Sequence, residues 1–355
     1  MGTIDTRILT RLIGAEYLNR ESLVLGDETH GELFRLKDSD SNVRQLVVVG
    51  DTGIDFFVGI EEMPSRDSKV IGQHLGIYGG GMEANFATAA IAASPELHLR
   101  FISRIGHGDL GEVTLQHISK LGIDTSSVVT DLSSGTWWCA VGLDATGEKA
   151  LMGARTPAAL PIHADFQPDS WGDISWLHIL GDIEWSESAI NTSISLGAVT
   201  SVDIEGSFAT EFPQRARSLV LAADVSIINL SGLLALVGIE QKVGRLLDQL
   251  TEGAYRGGRS KALLITLGAK GALFVHRNPG EDWRFYGCEA LRWPVVDSTG
   301  AGDSFAGTFV ASLLKGLPIS ECMTRATGAA AKSMGRIGAR GPRLDQYSKG
   351  EDNEQ

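Results

Sequence analysis

Short, continuous runs of apolar residues constrain the fold of this 355-residue chain more than any other feature of its sequence. The run at 46–50 reads Leu-Val-Val-Val-Gly, and comparable runs occur at 99–102, 176–180, 199–202, 225–228 and 263–266. Apolar residues without alternation are typical of strands buried on both faces, as in parallel sheets. Helical patterns lie between several of these runs, at 83–93, 112–121, 188–196, 241–250 and 303–314. This order predicts an α/β fold, a three-layer αβα sandwich around a mostly parallel central sheet.

Two sections interrupt the alternation and are expected to form a small β lid. Residues 56–78 and 135–153 look extended and contain turns, among them Asp144-Ala-Thr-Gly-Glu148. At the start of the chain, residues 1–44 combine an amphipathic helical pattern with a charged linker. We therefore expect an N-terminal extension at 1–44, one domain at 45–345 that includes the lid, and a polar tail at 346–355.

The composition excludes several classes of protein. A formal net charge of −13 argues against nucleic acid or an anionic membrane as a partner, because both require a concentrated basic surface. The three cysteines are far apart, so neither a disulfide framework nor a CxxC metal site is indicated, and a cytoplasmic location fits best. No run reaches the roughly 18 apolar residues of a membrane span, and no secretion signal is expected. The histidines lack HExxH spacing, and Gly-x-Ser-x-Gly is absent.

A glycine turn at 297–303, Asp-Ser-Thr-Gly-Ala-Gly-Asp, opens the last of these helical patterns. The apolar residues 293–296 before it predict a short strand. The amides of Gly300, Ala301 and Gly302 would lie at a helix N-terminus, where unpaired donors and the helix dipole suit a phosphate or a developing oxyanion. Asp303 among these donors could act as a general base or merely cap the helix, and the turn alone leaves both open.

A second glycine cluster at 79–85, Gly-Gly-Gly-Met-Glu-Ala-Asn, precedes a helix of small residues. Asn85 in its first turn offers a donor and an acceptor, which suits sugar hydroxyls. The spacing is not GxGxxG and no strand is expected to run directly into it, so a dinucleotide site is not indicated. A bare glycine turn is the alternative explanation.

Both clusters together resemble the ribokinase, or PfkB-type, family of carbohydrate kinases, over about residues 46–343. The family's most specific motif, DTxGAGD followed by a helix, matches 297–303, and its N-terminal motif of two glycines, a small residue and Asn matches 80–85. Three looser marks fall in order between them, at 106–111, 144–148 and 266–271.

The resemblance implies a role for each matching residue. Asp303 would be the general base that takes the proton from a primary hydroxyl as it attacks the γ-phosphate of ATP, with the amides of Gly300, Ala301 and Gly302 as the anion hole. Asp297 would help to bind a monovalent cation such as K⁺. The residues implied for the sugar are Asp55, Gly80, Gly81 and Asn85, and those implied for the nucleotide are Asn229, Thr266, Gly268 and Gly271, with the helix at 326–331 on the adenine side.

One departure from the family concerns Mg²⁺. The family usually has Asn-x-x-Glu before the nucleotide site, and the Glu helps to place Mg²⁺ through water; this chain has Asn229-Leu-Ser-Gly232. The ATP phosphates, Asn229 and another acid such as Asp203 or Glu205 are the remaining ways to hold the metal.

The resemblance therefore predicts an ATP-dependent sugar kinase that forms a homodimer through its lid. A nucleoside kinase of the same fold is one alternative, and a catalytically weak sugar-binding or regulatory homologue, suggested by Gly232, is another. A phosphosugar acceptor would need cations near the lid, for which Arg66, Lys69 and Arg155 are candidates.

Overall fold

Thirteen strands are present in the part of the chain that the computed structural model describes, which is residues 44–144, 149–237, 246–250 and 258–346 together with Phe34 and Glu252. They are β1 (Gln45–Val49), β2 (Gly53–Gly59), β3 (Gln73–Gly80), β4 (His98–His107), β5 (Val128–Gly135), β6 (Trp138–Leu143), β7 (Lys149–Ala154), β8 (Trp176–Leu180), β9 (Val199–Ile204), β10 (Val225–Asn229), β11 (Lys261–Thr266), β12 (Ala272–Arg277) and β13 (Arg284–Cys288).

Nine of these strands form one large sheet in the order β13-β12-β11-β10-β9-β8-β1-β4-β5. All neighbours from β11 to β5 pair in parallel, while β12 and β13 add an antiparallel edge. Strands β1, β8 and β11 are almost wholly buried, because unbroken apolar runs suit a sheet covered on both faces. The predicted mostly parallel sheet is confirmed.

Helices cover both faces of the large sheet. They are α1 (Met82–Ala93), α2 (Asp109–Lys120), α3 (Ser186–Ser195), α4 (Gly206–Glu211), α5 (Pro213–Ala222), α6 (Leu230–Val237), α7 (Ala301–Leu314) and α8 (Ile319–Met334). Apolar side chains of α1, α2, α7 and α8 share one buried cluster with the sheet, and those of α3 to α6 share another on the opposite face. The three-layer αβα sandwich is confirmed. Of the helix predicted at 241–250, only residues 246–250 are described, and they are helical.

The remaining four strands form a separate sheet in the order β3-β2-β6-β7. Strand β2 pairs antiparallel with β3 and parallel with β6, and β6 pairs antiparallel with β7. Its small core consists of Phe57, Tyr78, Cys139, Val141 and Leu143. The smaller sheet expected from 56–78 and 135–153 is therefore confirmed, and we refer to these four strands as the lid.

Two local predictions are wrong. The segment 293–296 is not a strand: Pro294 lacks a donor, Trp293 is 51 % exposed, and the amide of Val296 bonds instead to the carbonyl of Met334 at the end of α8. Conversely, strand β3 does run directly into the second glycine cluster and ends at Gly80. The glycines that looked like a turn therefore form the end of a lid strand.

Both ends of the chain fall largely outside the described residues, including the helix and linker predicted within 1–44 and most of the predicted tail. Phe34 and Arg44 are the described residues of the N-terminal part, and Phe34 has a defined packing partner. It is buried and meets Trp176 edge to face, with ring centroids 5.5 Å apart. Among the described residues, no helix is both long and apolar enough to cross a membrane.

Candidate active site

Several polar residues lie along the carboxyl edge of the large sheet. In the strand order, β1 stands between β8 and β4, so the chain passes to opposite sides of β1. Ligands of open parallel sheets bind in the crevice that such a switch creates. Asp51 follows β1, Asp203 lies near the end of β9, and Asn229 and Thr266 end β10 and β11. The predicted nucleotide residues Asn229 and Thr266 thus share one edge with two acids, Asp51 and Asp203.

Gly300 sets the N-terminus of α7. Its φ of 71° is left-handed, and a Cβ there would lie 2.3 Å from the Cβ of Ala339, so only glycine fits. The amide of Ala301 makes a long bond of 3.4 Å to the carbonyl of Ser298. Gly302 is exposed, and a Cβ on it would meet nothing within 4 Å. The first turn of α7 is therefore open beside Gly302, while the Ala301 amide is only weakly paired.

Asp303 in this first turn is joined to the second glycine cluster. The Nδ2 amide of Asn85 donates to Oδ2 of Asp303 at 2.8 Å. Asn85 is buried, and its Oδ1 has no hydrogen-bond partner among the described residues. The donor expected to serve the sugar thus holds Asp303, while the Oδ1 acceptor of Asn85 is buried and unpaired among the described residues.

Asp55 lies beside these residues on β2. It is buried, and a Cβ on Gly80 would be 2.4 Å from its Oδ1, so the glycine makes room for the carboxyl group. Gly81 caps α1 with φ 101°, and a Cβ there would lie 2.7 Å from Cα of Thr52. Both glycines therefore serve the close approach of β2, β3 and α1 around the predicted sugar site.

Burial dominates the titration of both aspartates. It raises the pKa of Asp303 to about 7; the Asn85 hydrogen bond and Lys149 oppose this, whereas the charges of Asp51 and Glu205 add to it. Burial likewise raises the pKa of Asp55 to about 7, against the lowering effect of Arg340. A carboxyl group with a pKa near neutrality is suited to accept a proton at physiological pH.

Arg340 is a site residue that the sequence did not reveal. It is 2 % exposed, and its guanidinium donates to the carbonyl of Gly80 and lies 3.4 Å from Oγ1 of Thr52. Desolvation lowers the pKa of Arg340 to about 10, so it stays cationic at neutral pH and balances Asp55, Asp51 and Asp303. No local pattern marks an arginine in a C-terminal loop, so its role depends on the fold.

Lys149 is a second such residue. It is the first residue of lid strand β7, and its Nζ donates to Oγ1 of Thr299 at 3.0 Å, in the glycine turn before α7. Its charge lowers the pKa of both Asp303 and Asp55. The lid thus brings a cation to the glycine turn before α7.

The predicted nucleotide residues lie in loops at the ends of β10 and β11. Asn229 pairs with Thr266 across these parallel strands. Gly268 and Gly271 have φ values of 59° and 98°, and a Cβ on Gly271 would lie 1.9 Å from the carbonyl of Cys288. These glycines shape the loop, and a direct role in nucleotide binding remains a prediction.

The Asn229-Leu-Ser-Gly232 segment forms the start of α6. Oδ1 of Asn229 accepts from Oγ of Ser231 at 2.7 Å and from the amide of Gly232 at 2.8 Å. A Cβ on Gly232 would lie 3.1 Å from the carbonyl of Ile204, so a larger residue would need an adjustment. Among the described residues, no group of three or more His, Cys, Asp or Glu side chains is placed to hold a metal ion.

Asp297 accepts hydrogen bonds from both the glycine turn and the C-terminal loop. Its Oδ1 accepts from the amide and hydroxyl of Thr299 at 2.9 and 2.6 Å, and its Oδ2 accepts from the amide of Gly338 at 2.9 Å. The carboxylate is 1 % exposed. Asp297 thus links the turn to the C-terminal loop that carries Arg340.

Comparison with known proteins identifies the family. The model of the pfkB family of carbohydrate kinases matches residues 43–346, so the chain belongs to that family. It is therefore an enzyme that transfers a phosphoryl group to an alcohol group of its acceptor. The resemblance drawn from the two glycine clusters is confirmed.

Several proteins illustrate the relationship. The ribokinase of Lactococcus lactis subsp. lactis is 24% identical over 305 residues, which cover 85% of this chain and 95% of that protein. The structure of Arabidopsis thaliana ribokinase complexed with ribose and ATP superposes with a TM-score of 0.64 at 21% identity, covering 85% of this chain and 97% of the other. The adenosine kinase of Sinorhizobium meliloti superposes with a TM-score of 0.66 at 17% identity, covering 86% and 98%. At these identities the structures establish a shared fold.

Proposed function

We propose that the protein is an ATP-dependent sugar kinase that phosphorylates a primary hydroxyl, with Asp303 as the general base. The observation that carries this proposal is the 2.8 Å hydrogen bond between Asn85 and Asp303, residues 218 positions apart. It joins the predicted sugar motif in the first turn of α1 to the predicted phosphate motif in the first turn of α7. The ribokinase neighbour that binds ribose and ATP supports the same choice of ligands.

The proposed proton transfer follows from this arrangement. Asn85 holds the Asp303 carboxylate by one oxygen, which leaves the other to accept the proton of the attacking hydroxyl. Asp55 and Oδ1 of Asn85 would hold neighbouring hydroxyls of the sugar. These contacts orient the acceptor, and orientation is a large part of the rate enhancement in phosphoryl transfer.

The amides at the start of α7 would stabilise the charge on the transferring phosphoryl group. Gly300, Ala301 and Gly302 at this helix N-terminus would surround the transferring group, and Lys149 would add a cation from the lid. Losing one such donor typically costs on the order of 3 kcal/mol of transition-state stabilisation. Thr266, Gly268, Gly271 and Asn229 would line the nucleotide on the neighbouring strands.

Asp203 and Glu205 are the residues that fit Mg²⁺. Burial raises the pKa of Asp203 well above its usual value, and the nearby charges of Asp303 and Glu205 raise it further, so an added cation would be stabilised there. Mg²⁺ at nucleotide sites commonly takes one or two carboxylates together with phosphates, and it would neutralise phosphate charge. Asp297 is the candidate for K⁺, which would have to share oxygens that already accept hydrogen bonds.

The outer face of the lid supports a homodimer. Register places Asp55 and Cys139 side by side on one face of the lid, whereas Phe56 and Trp138 meet edge to face on the other at 5.7 Å. Met152 on that second face is 68% exposed. We propose that a second copy of the chain covers this face, and sedimentation velocity would show whether the protein is a dimer. We also propose that the enzyme is cytoplasmic.

A phosphosugar acceptor has less support. Arg155 forms an ion pair with Asp182 at 2.5 Å, and Arg66 and Lys69 are exposed. A nucleoside acceptor and a binding protein without turnover remain the rivals, the first because an adenosine kinase shares the fold and the second because Gly232 brings no carboxylate.

The test is a panel of sugars, sugar acids, phosphosugars and nucleosides assayed for ADP release, with the phosphorylated product located by NMR. We expect one sugar to be phosphorylated on its primary hydroxyl well above the ATPase background. A preference for a nucleoside would select the first rival. Tight binding of an acceptor without turnover would select the second.

A further inference from the structure

Two buried acids beneath the site have no role in the proposed mechanism. Asp51 follows strand β1 and is 7% exposed, and Glu83, in the first turn of α1, is 0% exposed. Each lies close in sequence to a predicted sugar residue, Asp51 to Asp55 and Glu83 to Asn85. Their placement connects the two segments that hold the acceptor site.

The two acids lie side by side. The amide of Glu83 donates to Oδ1 of Asp51 at 3.3 Å. Gly50 makes this possible, because a Cβ there would lie 2.2 Å from Cγ of Glu83. Neither carboxyl oxygen of Glu83 has a hydrogen-bond partner among the described residues, and the residue is wholly buried. An ionised carboxylate buried without a donor is very costly, so a neutral acid is favoured there.

The surrounding charges indicate which acid carries it. Asp203 and Asp303 face the pair from β9 and α7, and Arg340 is the buried cation that faces it from the C-terminal loop. Asp51 accepts the backbone amide of Glu83 and is attracted to Arg340. Glu83 has neither advantage and faces three carboxyl groups, so the proton belongs on Glu83.

We propose that Glu83 remains a neutral acid beside an ionised Asp51, and that the single negative charge of this pair makes Asp303 more basic. The proposal rests on the proposed role of Asp303 as the base. Burial makes Asp303 basic and the charge of Asp51 adds to this effect, whereas the N-terminus of α7 and the cations Lys149 and Arg340 favour the ionised, less basic form. Asp51 and Glu83 are thus positioning residues that act through Asp303.

The first test is the pH dependence of kcat/KM for the wild type, Asp51→Asn and Glu83→Gln with the best acceptor of the panel. Asp51→Asn removes the charge, so the acid limb should move to lower pH by about half to one unit. Glu83→Gln replaces one neutral hydrogen-bond donor by another and changes no charge. The acid limb of its kcat/KM profile should therefore stay within about 0.2 pH unit of the wild-type limb. An unmoved limb in Asp51→Asn, or an equal shift in both variants, would overturn the proposal. Thermal unfolding of both variants serves as the control for correct folding.

The second test does not require turnover. Infrared spectra of the unliganded enzyme at pH 8.5 should show the carbonyl stretch of a protonated carboxylic acid, and Glu83→Gln should lose intensity there while Asp303→Asn should not. An unchanged band in Glu83→Gln would refute the neutral acid even in an active enzyme. If instead Asp303→Asn keeps full turnover, the proposed function fails, and the infrared result still decides the state of Glu83.

Discussion

At the scale of single residues, Asp303 combines burial with a hydrogen bond from Asn85. Burial raises the pKa of Asp303 to about 7, so the carboxyl is largely protonated at pH 6 and largely ionised at pH 8. Only the ionised form can accept the acceptor's proton. We therefore predict that kcat/KM falls about tenfold per unit as the pH drops below about 7, as measured under saturating ATP at fixed ionic strength. A flat profile between pH 5.5 and 8 would contradict this.

The same pKa has a consequence for stability. A carboxyl whose folded-state pKa lies above its unfolded value of about 3.9 binds more protons in the folded protein, so it stabilises the fold at low pH and this contribution is lost as the pH rises towards 7. The Asp303→Asn variant has no ionisable group at this position, so its stability does not fall as the pH rises through the pKa of Asp303. We expect its melting temperature at pH 8 to exceed that of the wild type by a few degrees and the difference to shrink towards pH 4. Equal melting temperatures at pH 8 would argue against a raised pKa of Asp303.

At the scale of elements, the lid reaches the catalytic turn through β7. Lys149 bonds to Thr299 and lowers the pKa of Asp303, which is opposite in sign to the effect of Asp51. We predict that Lys149→Met moves the acid limb of kcat/KM to higher pH and lowers kcat by one to two orders of magnitude, on the order of one lost anion-stabilising group. Lys69→Met, an exposed lysine between lid strands β2 and β3, is the matched control. Similar profiles for the two variants would remove Lys149 from the site.

The C-terminal loop is the second element that connects the site. Gly338 bonds to Asp297, Ala339 packs on Gly300, and Arg340 reaches Gly80 at the end of β3. Arg340→Met would leave buried carboxylates without their cation, which typically costs about 3 to 5 kcal/mol in the free energy of unfolding. Urea unfolding measures this change, with Arg343→Met, an exposed partner of Asp345, as the control. A loss no greater than that of the control would contradict the role of Arg340.

At the scale of the whole molecule, the fold was predictable because it follows from local patterns. Unbroken apolar strands such as 46–50 and 176–180 alternate with helices, and this order admits few arrangements. The predicted strand at 293–296 is wrong because apolar residues next to a proline can lie in an exposed loop as well as in a strand. The length of this apolar segment and its flanking residues did not distinguish a loop from a strand.

The site was predictable only in part. The glycine motifs singled out Asp303 and Asn85, since their backbone requirements leave a signature in the sequence, whereas Asp55 was implied only by the family resemblance. Arg340 and Lys149 leave none, because each acts through a contact that exists only when the lid and the C-terminal loop pack on the sheet. The assignment of the Asn85 donor to Asp303 rather than to the sugar likewise depends on bringing together positions 218 residues apart.

The central claim is that Asp303 takes the proton of the acceptor hydroxyl, and the most direct test is the turnover of Asp303→Asn with the best acceptor of the panel. The variant keeps the shape of the residue, so we predict that kcat falls by roughly a thousandfold or more while the Kd of the acceptor changes only a few-fold. Asp169→Asn, which alters an exposed acid, should behave as the wild type. Asp303→Asn with kcat within tenfold of the wild type would contradict the account.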